Sequence, residues 1–143
     1  MEEFFARWFR GFGEGLAGLS REERGRLFAP CAALCARDAL RDLYLGLFRD
    51  CGGDLDQFFS RLHEVRSVDG RVIEPGKVYE ILFLACGCDL HVRAGVNAPE
   101  LCECSRQSII AEFRELLPGK EFEVEERGTI LGGEECCCFR ITV

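Results

Sequence analysis

Residues 65–88 read VRSVDGRVIEPGKVYEILFLACGC, and the period of the chain changes within them. Pro75-Gly76 is a turn pair, and Asp69-Gly70 reads as another. Between the second turn and the cysteines, Val78 to Ala85 is an apolar run that suits a mostly buried strand. Upstream of Val65 the apolar residues recur at helical spacing; downstream, short strands and one helix alternate. That order predicts an α+β fold, with a helical N-terminal half packed on a mainly antiparallel sheet and one further helix. No repeat, low-complexity tract or linker interrupts the chain. Residues 1–143 therefore read as a single domain, helical over 1–65 and cysteine-rich α+β over 66–143.

In the helical part, Phe5, Trp8, Phe9, Phe12, Leu16 and Leu19 give one apolar face. Gly11, Gly13, Gly15 and Gly18 weaken that helix, each by about 1 kcal/mol relative to alanine, so it needs a partner surface. Ser20 with Glu23 is a capping box that starts a second helix. Pro30 kinks it or begins a third, running through Leu34, Leu40, Leu43, Leu47 and Phe48 to Gly52-Gly53. Asp54 with Gln57 caps a short helix carrying Leu55, Phe58, Phe59 and Leu62. In the second part, Ser105 is expected to cap a helix through Ile109, Ile110, Phe113, Leu116 and Leu117, stopped by Pro118-Gly119. A strand around Phe122 and Val124 follows. Gly132-Gly133 then turns into a last strand, Cys136 to Val143, with Phe139, Ile141 and Val143 on one face.

Composition narrows the function classes. With 48% hydrophobic residues the chain has the apolar content of a folded domain, and at this length it buries roughly two-thirds of the surface its unfolded form exposes. A formal net charge of −7, with no Lys/Arg run, argues against broad binding to nucleic acid or an anionic membrane. No apolar run approaches the roughly 20 residues that span a bilayer, and the start Met1-Glu2-Glu3-Phe4-Phe5 lacks a secretory pattern. These features point to a cytoplasmic protein. There thiols stay reduced, and clustered cysteines favour metal or redox roles over disulfides.

Ten cysteines then carry the chemistry: Cys86-Gly87-Cys88, Cys102-Glu103-Cys104, Cys136-Cys137-Cys138, Cys31 with Cys35, and Cys51. In extended backbone, residues two apart project to one side, so each C-x-C pair can present two converging sulfurs. Cys86, Cys88, Cys102 and Cys104 together supply the ligand set of a tetrahedral zinc site or, second, an iron–sulfur cluster. His91 is a substitute ligand, with Asp89 as acceptor for its ring proton. Against this stands plain packing, since free cysteine is a common core filler. Packing is the simpler account of Cys51, of Cys136 to Cys138, and of Cys31 and Cys35 on one helix face. Cys104, next to a helix start, is expected to have a lowered pKa. With His91 as base it would serve as a nucleophile, whereas His63 reads as surface or core. The acidic residues Glu121, Glu123, Glu125, Glu126, Glu134 and Glu135 read as a solvated face.

Motifs at Leu101-Cys102-Glu103-Cys104-Ser105, Phe113, Phe122-Glu123-Val124-Glu125, Ile130-Leu131-Gly132-Gly133 and Cys138-Phe139-Arg140-Ile141 resemble the vinyl-reductase domain family. That family takes its name from a bacteriochlorophyll-biosynthesis protein. The chain is also similar to cysteine-rich relatives of aminothiazoline-carboxylate hydrolases. The resemblance covers residues 78–143 and, loosely, the helical half. It implies an α+β fold akin to haem-nitric-oxide-binding domains and transport-particle small subunits, which bind small hydrophobic ligands or dimerise. Cys138 matches the family's terminal cysteine, and Cys102 and Cys104 match the cysteines before its helix. Cys86-Gly87-Cys88 departs from the vinyl-reductase pattern and fits the cysteine-rich relatives.

The expected function is a small-molecule-binding sensor or carrier domain with a zinc site at Cys86, Cys88, Cys102 and Cys104. It takes a small hydrophobic ligand, and its aromatic first helix lids the pocket or forms a homodimer interface. The alternative is a thiol- or metal-dependent hydrolase of a small heterocycle, using Cys104 and His91.

Overall fold

The computed structural model of the protein describes residues 2–35 and 39–143, with side chains over 3–35 and 41–143. Helix α1 (Glu2–Ala17) is amphipathic, and its buried side is Phe9, Phe12 and Leu16. These meet Phe28, Val96 and Leu101 in a small apolar cluster, with the Phe12 and Phe28 rings edge to face at 6.5 Å. Gly13 permits this approach, since a Cβ there would lie 3.1 Å from Val96 Cγ1. Phe4, Phe5 and Trp8, by contrast, stay about half exposed. The capping box opens α2 (Arg21–Cys35): Glu23 N donates to Ser20 Oγ, and Ser20 N donates to Glu23 Oε1. Pro30 lies inside α2 rather than starting a helix. The expected helix through Leu34 and Leu43 crosses residues 36–38, which lie outside the described residues, as does the Leu40 side chain. Helix α3 (Ala39–Asp50) follows, and then α4 (Leu55–Arg61), capped by Asp54 as expected.

Strands β1 (Val68–Glu74), β2 (Val78–Phe83), β3 (Glu123–Gly128) and β4 (Cys137–Thr142) form an antiparallel sheet in the order β1-β2-β4-β3. The fold is thus α+β, with helices on one face. Short α5 (Asp89–Val92) follows β2, and α6 (Glu103–Leu116) precedes β3. Asp69-Gly70 is not a turn. Both residues pair with β2, and Gly70 is there because α4 crosses over it: a Cβ would stand 2.3 Å from the Phe59 carbonyl oxygen. Asp56 ties α4 to the hairpin by accepting from Tyr79 Oη at 2.6 Å and Gly76 N at 2.9 Å.

Inward-facing Tyr79 and Ile81 of β2 oppose Ile141 and Phe139 of β4. They pack under Phe58, Phe59, Ile109 and Phe113, with Phe59 stacked on Tyr79 at 4.5 Å. Burying each such aromatic ring stabilises the fold by roughly 2 kcal/mol or more. Two polar groups lie at the margin of this core. Burial pushes the Glu112 carboxyl of α6 up to about 8, and Tyr44 Oη of α3, raised by burial and by Glu112, has no hydrogen-bond partner among the described residues.

Two outcomes follow. Gly70→Ala should cost about 1–3 kcal/mol in chemical denaturation, because the α4 backbone must retreat. Glu112 has a folded-state pKa above its ordinary 4.5, so folding prefers its proton. Its contribution is full below about 4.5 and is lost as pH rises through about 8. Glu112→Gln should therefore flatten stability against pH across that window, as measured by melting temperature. An unchanged slope would assign the dependence to other groups.

Candidate functional site

The thiols gather around the start of α6, but not in the pairs expected. A 3-10 turn over Pro99–Cys102 runs directly into α6, so Cys102 is helical and is itself the cap position. Ser105 is inside the helix, not at its cap. Two residues along a helix are about 200° apart around its axis, and Cys102 and Cys104 therefore project to opposite sides. Cys86 and Cys88 also leave the strand: β2 ends at Phe83, and Cys88 is the cap residue of α5. The expectation of converging C-x-C pairs assumed extended backbone, and helical backbone removes it for Cys102 and Cys104.

Each pair instead divides between two groups. Burial raises the Cys102 thiol to about 12, and the charges of Cys137, Glu126 and Cys86, within electrostatic reach of it, add to the rise. Register explains the meeting: Cys137 pairs with Phe83, and Cys86 follows three residues later. A tight turn at 129–133 supplies donors to this first group. Ile130 N donates to Cys137 Sγ at 3.3 Å, and the Thr129 side chain acts to lower Cys102, each opposing the rise. The turn is closed by Gly132 N donating to Thr129 O and Oγ1, and by Glu134 N donating to Thr129 O. Gly132 leaves room for this, since a Cβ would sit 3.0 Å from Thr129 Oγ1; Gly133 takes φ +103°.

Cys104 faces the other way, with Cys88 beside the Leu16–Phe28–Leu101 cluster. Burial is again the main cause that raises its thiol to about 12, and charge on Cys88, Cys35 and Cys31 adds to it. The expected lowering at a helix start is overturned, because desolvation of the thiolate outweighs the helix dipole. Cys31 and Cys35 are exposed on α2, so core packing does not account for them. Cys51 is buried at the end of α3, as packing predicts. Cys138 points to the opposite sheet face, where burial and Glu80 push it up to about 11. The inward position on β4 is Cys137.

His91 Nδ1 lies 2.9 Å from the Val96 carbonyl oxygen and donates to it, so that oxygen, not Asp89, holds its ring. His63 is exposed, with Nδ1 2.9 Å from Ser60 O. Glu126 departs from a solvated face: it opposes Phe139 on the core side, and burial raises its pKa while Arg21, Arg24 and Arg106 lower it. It helps line a charged cavity of about 160 Å3 with Arg21, Arg24 and Glu103. A groove of about 340 Å3 runs between α1 and the 95–100 segment, floored by Gly13, Ala17, Val96 and Ala98 and rimmed by Arg10 and Glu100. Among the described residues, no three His, Cys, Asp or Glu side chains stand in an arrangement that holds a metal ion. No described helix is long and apolar enough to cross a membrane. Comparison with known protein families, curated proteins and solved structures finds no match for the chain.

Thiols held this high react slowly near neutral pH, because the thiolate is the nucleophile. In alkylation followed by mass spectrometry, exposed Cys31 and Cys35 should label first, and Cys102 and Cys104 last. Rapid labelling of Cys104 would reverse this assignment.

Proposed function

We propose that the protein is a small-molecule-binding sensor or carrier domain with a zinc site at Cys86, Cys102 and Cys137. The carrying observation is the bond from Ile130 N to Cys137 Sγ at the start of β4, with Cys102 at the start of α6 and Cys86, three residues beyond β2, within electrostatic reach. Hydrogen bonds to sulfur stabilise thiolate, the form that ligates metal. Glu126, which Cys102 and Cys137 both feel, is the fourth donor. This set keeps Cys86 and Cys102 of the four expected ligands and takes Cys137 and Glu126 in place of Cys88 and Cys104. Binding requires rotation of cysteine side chains between staggered positions, each about one bond. A bound zinc ion supplies charge that holds these thiols deprotonated.

The small-molecule role is supported by the groove beside α1. Its 95–100 wall leads directly into the Pro99–Cys102 turn, so a ligand against Glu100 bears on the segment that carries Cys102. The half-exposed Phe4, Phe5 and Trp8 face is the surface assigned to self-association. The hydrolase alternative is the weaker reading because Cys104 is a high-pKa thiol; His91 Nδ1 donates to Val96 O and leaves Nε2 as the ring's base.

Metal analysis of protein purified without oxygen or chelators tests the zinc site. Cys137→Ser and Cys102→Ser should each abolish the zinc bound there and lower the melting temperature. Thr129→Val should keep the fold and weaken zinc roughly 10–100-fold, the range for an outer hydrogen bond. Equal zinc content and affinity in all of these variants would sink the proposal.

A further inference from the structure

We propose that the charged cavity between α2, the Pro99–Cys102 turn and β3 binds a compact zwitterion, a free α-amino acid of the size of glycine or alanine. The cavity measures about 160 Å3, and five of its lining side chains are charged: Arg21, Arg24, Glu100, Glu103 and Glu126. A cavity of about this volume takes a ligand of about six non-hydrogen atoms. Helical spacing builds two of its walls. Arg21 and Arg24 are three apart on α2, and Glu100 and Glu103 are three apart where the turn runs into α6, so each pair shares a face. Gly25 lets α2 and α6 close up, since a Cβ there would lie 3.0 Å from Gln107 Nε2. Glu126 comes from β3.

The polar groups on these walls are only partly used. Glu103 is 4% exposed, and its Oε1 accepts from Arg106 and Gln107. Its Oε2 accepts no hydrogen bond among the described residues and stands 4.0 Å from Arg21 Nε on the opposite wall. Glu126 Oε2 lies 3.8 Å from Arg21 Nη2, and both separations exceed hydrogen-bond length. Arg24 Nη1 donates to Leu16 O and Leu19 O at the end of α1, which fixes the guanidinium, while its buried Nε has no partner among the described residues. Acceptors and a donor are thus left over at one cavity, whereas buried polar groups are ordinarily paired. A ligand ammonium supplies donors to Glu103 Oε2 and Glu126 Oε2, and a carboxylate one carbon away accepts from Arg24 and Arg21. A lone anion would leave the carboxylate oxygens unmatched, and a lone cation would leave Arg24 so. With Arg106 on Glu103, three arginines balance three glutamates, which suits a ligand of no net charge. The site uses no thiol and stands whether or not zinc binds at Cys86, Cys102 and Cys137.

Titration of isotope-labelled, metal-free, full-length protein with glycine, followed by two-dimensional nuclear magnetic resonance, tests the site. Metal-free protein keeps the result separate from the fate of the zinc site. Saturable shifts are expected at the amides of residues 100–103 and at Arg24 Nε–H. Methylammonium and acetate, which carry one end of the zwitterion each, should bind at least about tenfold more weakly. Arg24→Lys keeps the charge but loses the planar fork, and should weaken glycine by about tenfold or more. The Arg21 side chain is 55% exposed, so Arg21→Gln should keep the fold, read from the unaffected signals, and also weaken glycine. Absence of saturable shifts with both glycine and alanine overturns the site, as does unchanged affinity in Arg21→Gln or in a folded Arg24→Lys. Acetate or methylammonium binding as tightly as glycine overturns the zwitterion in favour of a singly charged ligand.

Discussion

Glu103 is buried at the first position of α6, and its carboxylate accepts from Arg106 at 2.7 Å and Gln107 at 3.0 Å. Arg106 in turn donates to the Val124 carbonyl of β3 at 2.7 Å. Across the contact, Gly25 of α2 leaves the space that the carboxylate and Gln107 fill. One carboxylate therefore ties the start of α6 to α2 and, through Arg106, to the sheet. A negative charge there is also favoured by the helix dipole. Because Glu103 fixes helical backbone between them, Cys102 and Cys104 diverge, and the division of the thiols into two groups follows from that turn of helix.

The two groups differ in their electrostatics more than in their chemistry. Both are desolvated, which disfavours thiolate. At Cys102 and Cys137 the Thr129 hydroxyl and Ile130 amide work against that cost. At Cys104 the influences are burial and neighbouring negative charge alone. A thiol in the second setting is a good apolar filler. Charged residues near the first group add a further control, since Glu126 is held between burial, Glu103 and the arginines Arg21, Arg24 and Arg106.

Much of the architecture was legible in local patterns. Ser20 with Glu23, Asp54 with its helix, Pro75-Gly76 and Pro118-Gly119 act locally, and local chemistry marks them well. Asp69-Gly70 misled because its glycine answers a tertiary demand, the passage of the Phe59 carbonyl, which no neighbouring residue announces. For the candidate site, the pairing expected of the cysteine clusters depended on backbone conformation. Helical rather than extended backbone at Cys102 inverted it. Cys137 had a usable signal: it shares strand parity with Phe139 and Ile141, the face already read as buried. Thr129 and Glu126 had none, because a hydroxyl before a glycine turn and one glutamate in an acidic run look like surface until β3 is paired.

Splitting each C-x-C pair between two groups has a mechanical consequence. Gly87 and Glu103 are all that separate a thiol of one group from a thiol of the other. An ion seated at Cys86 and Cys102 would restrict the backbone that positions Cys88 and Cys104. Order imposed on one thiol group would thereby pass, through a single residue of backbone, to the other. Linkage would make any such effect mutual. The Pro99–Cys102 turn is the segment through which such coupling would reach the groove beside α1, where Glu100 forms part of the wall. A ligand in the groove that favours one position of this turn would shift metal affinity at Cys102 in the same sense as the metal shifts affinity for the ligand.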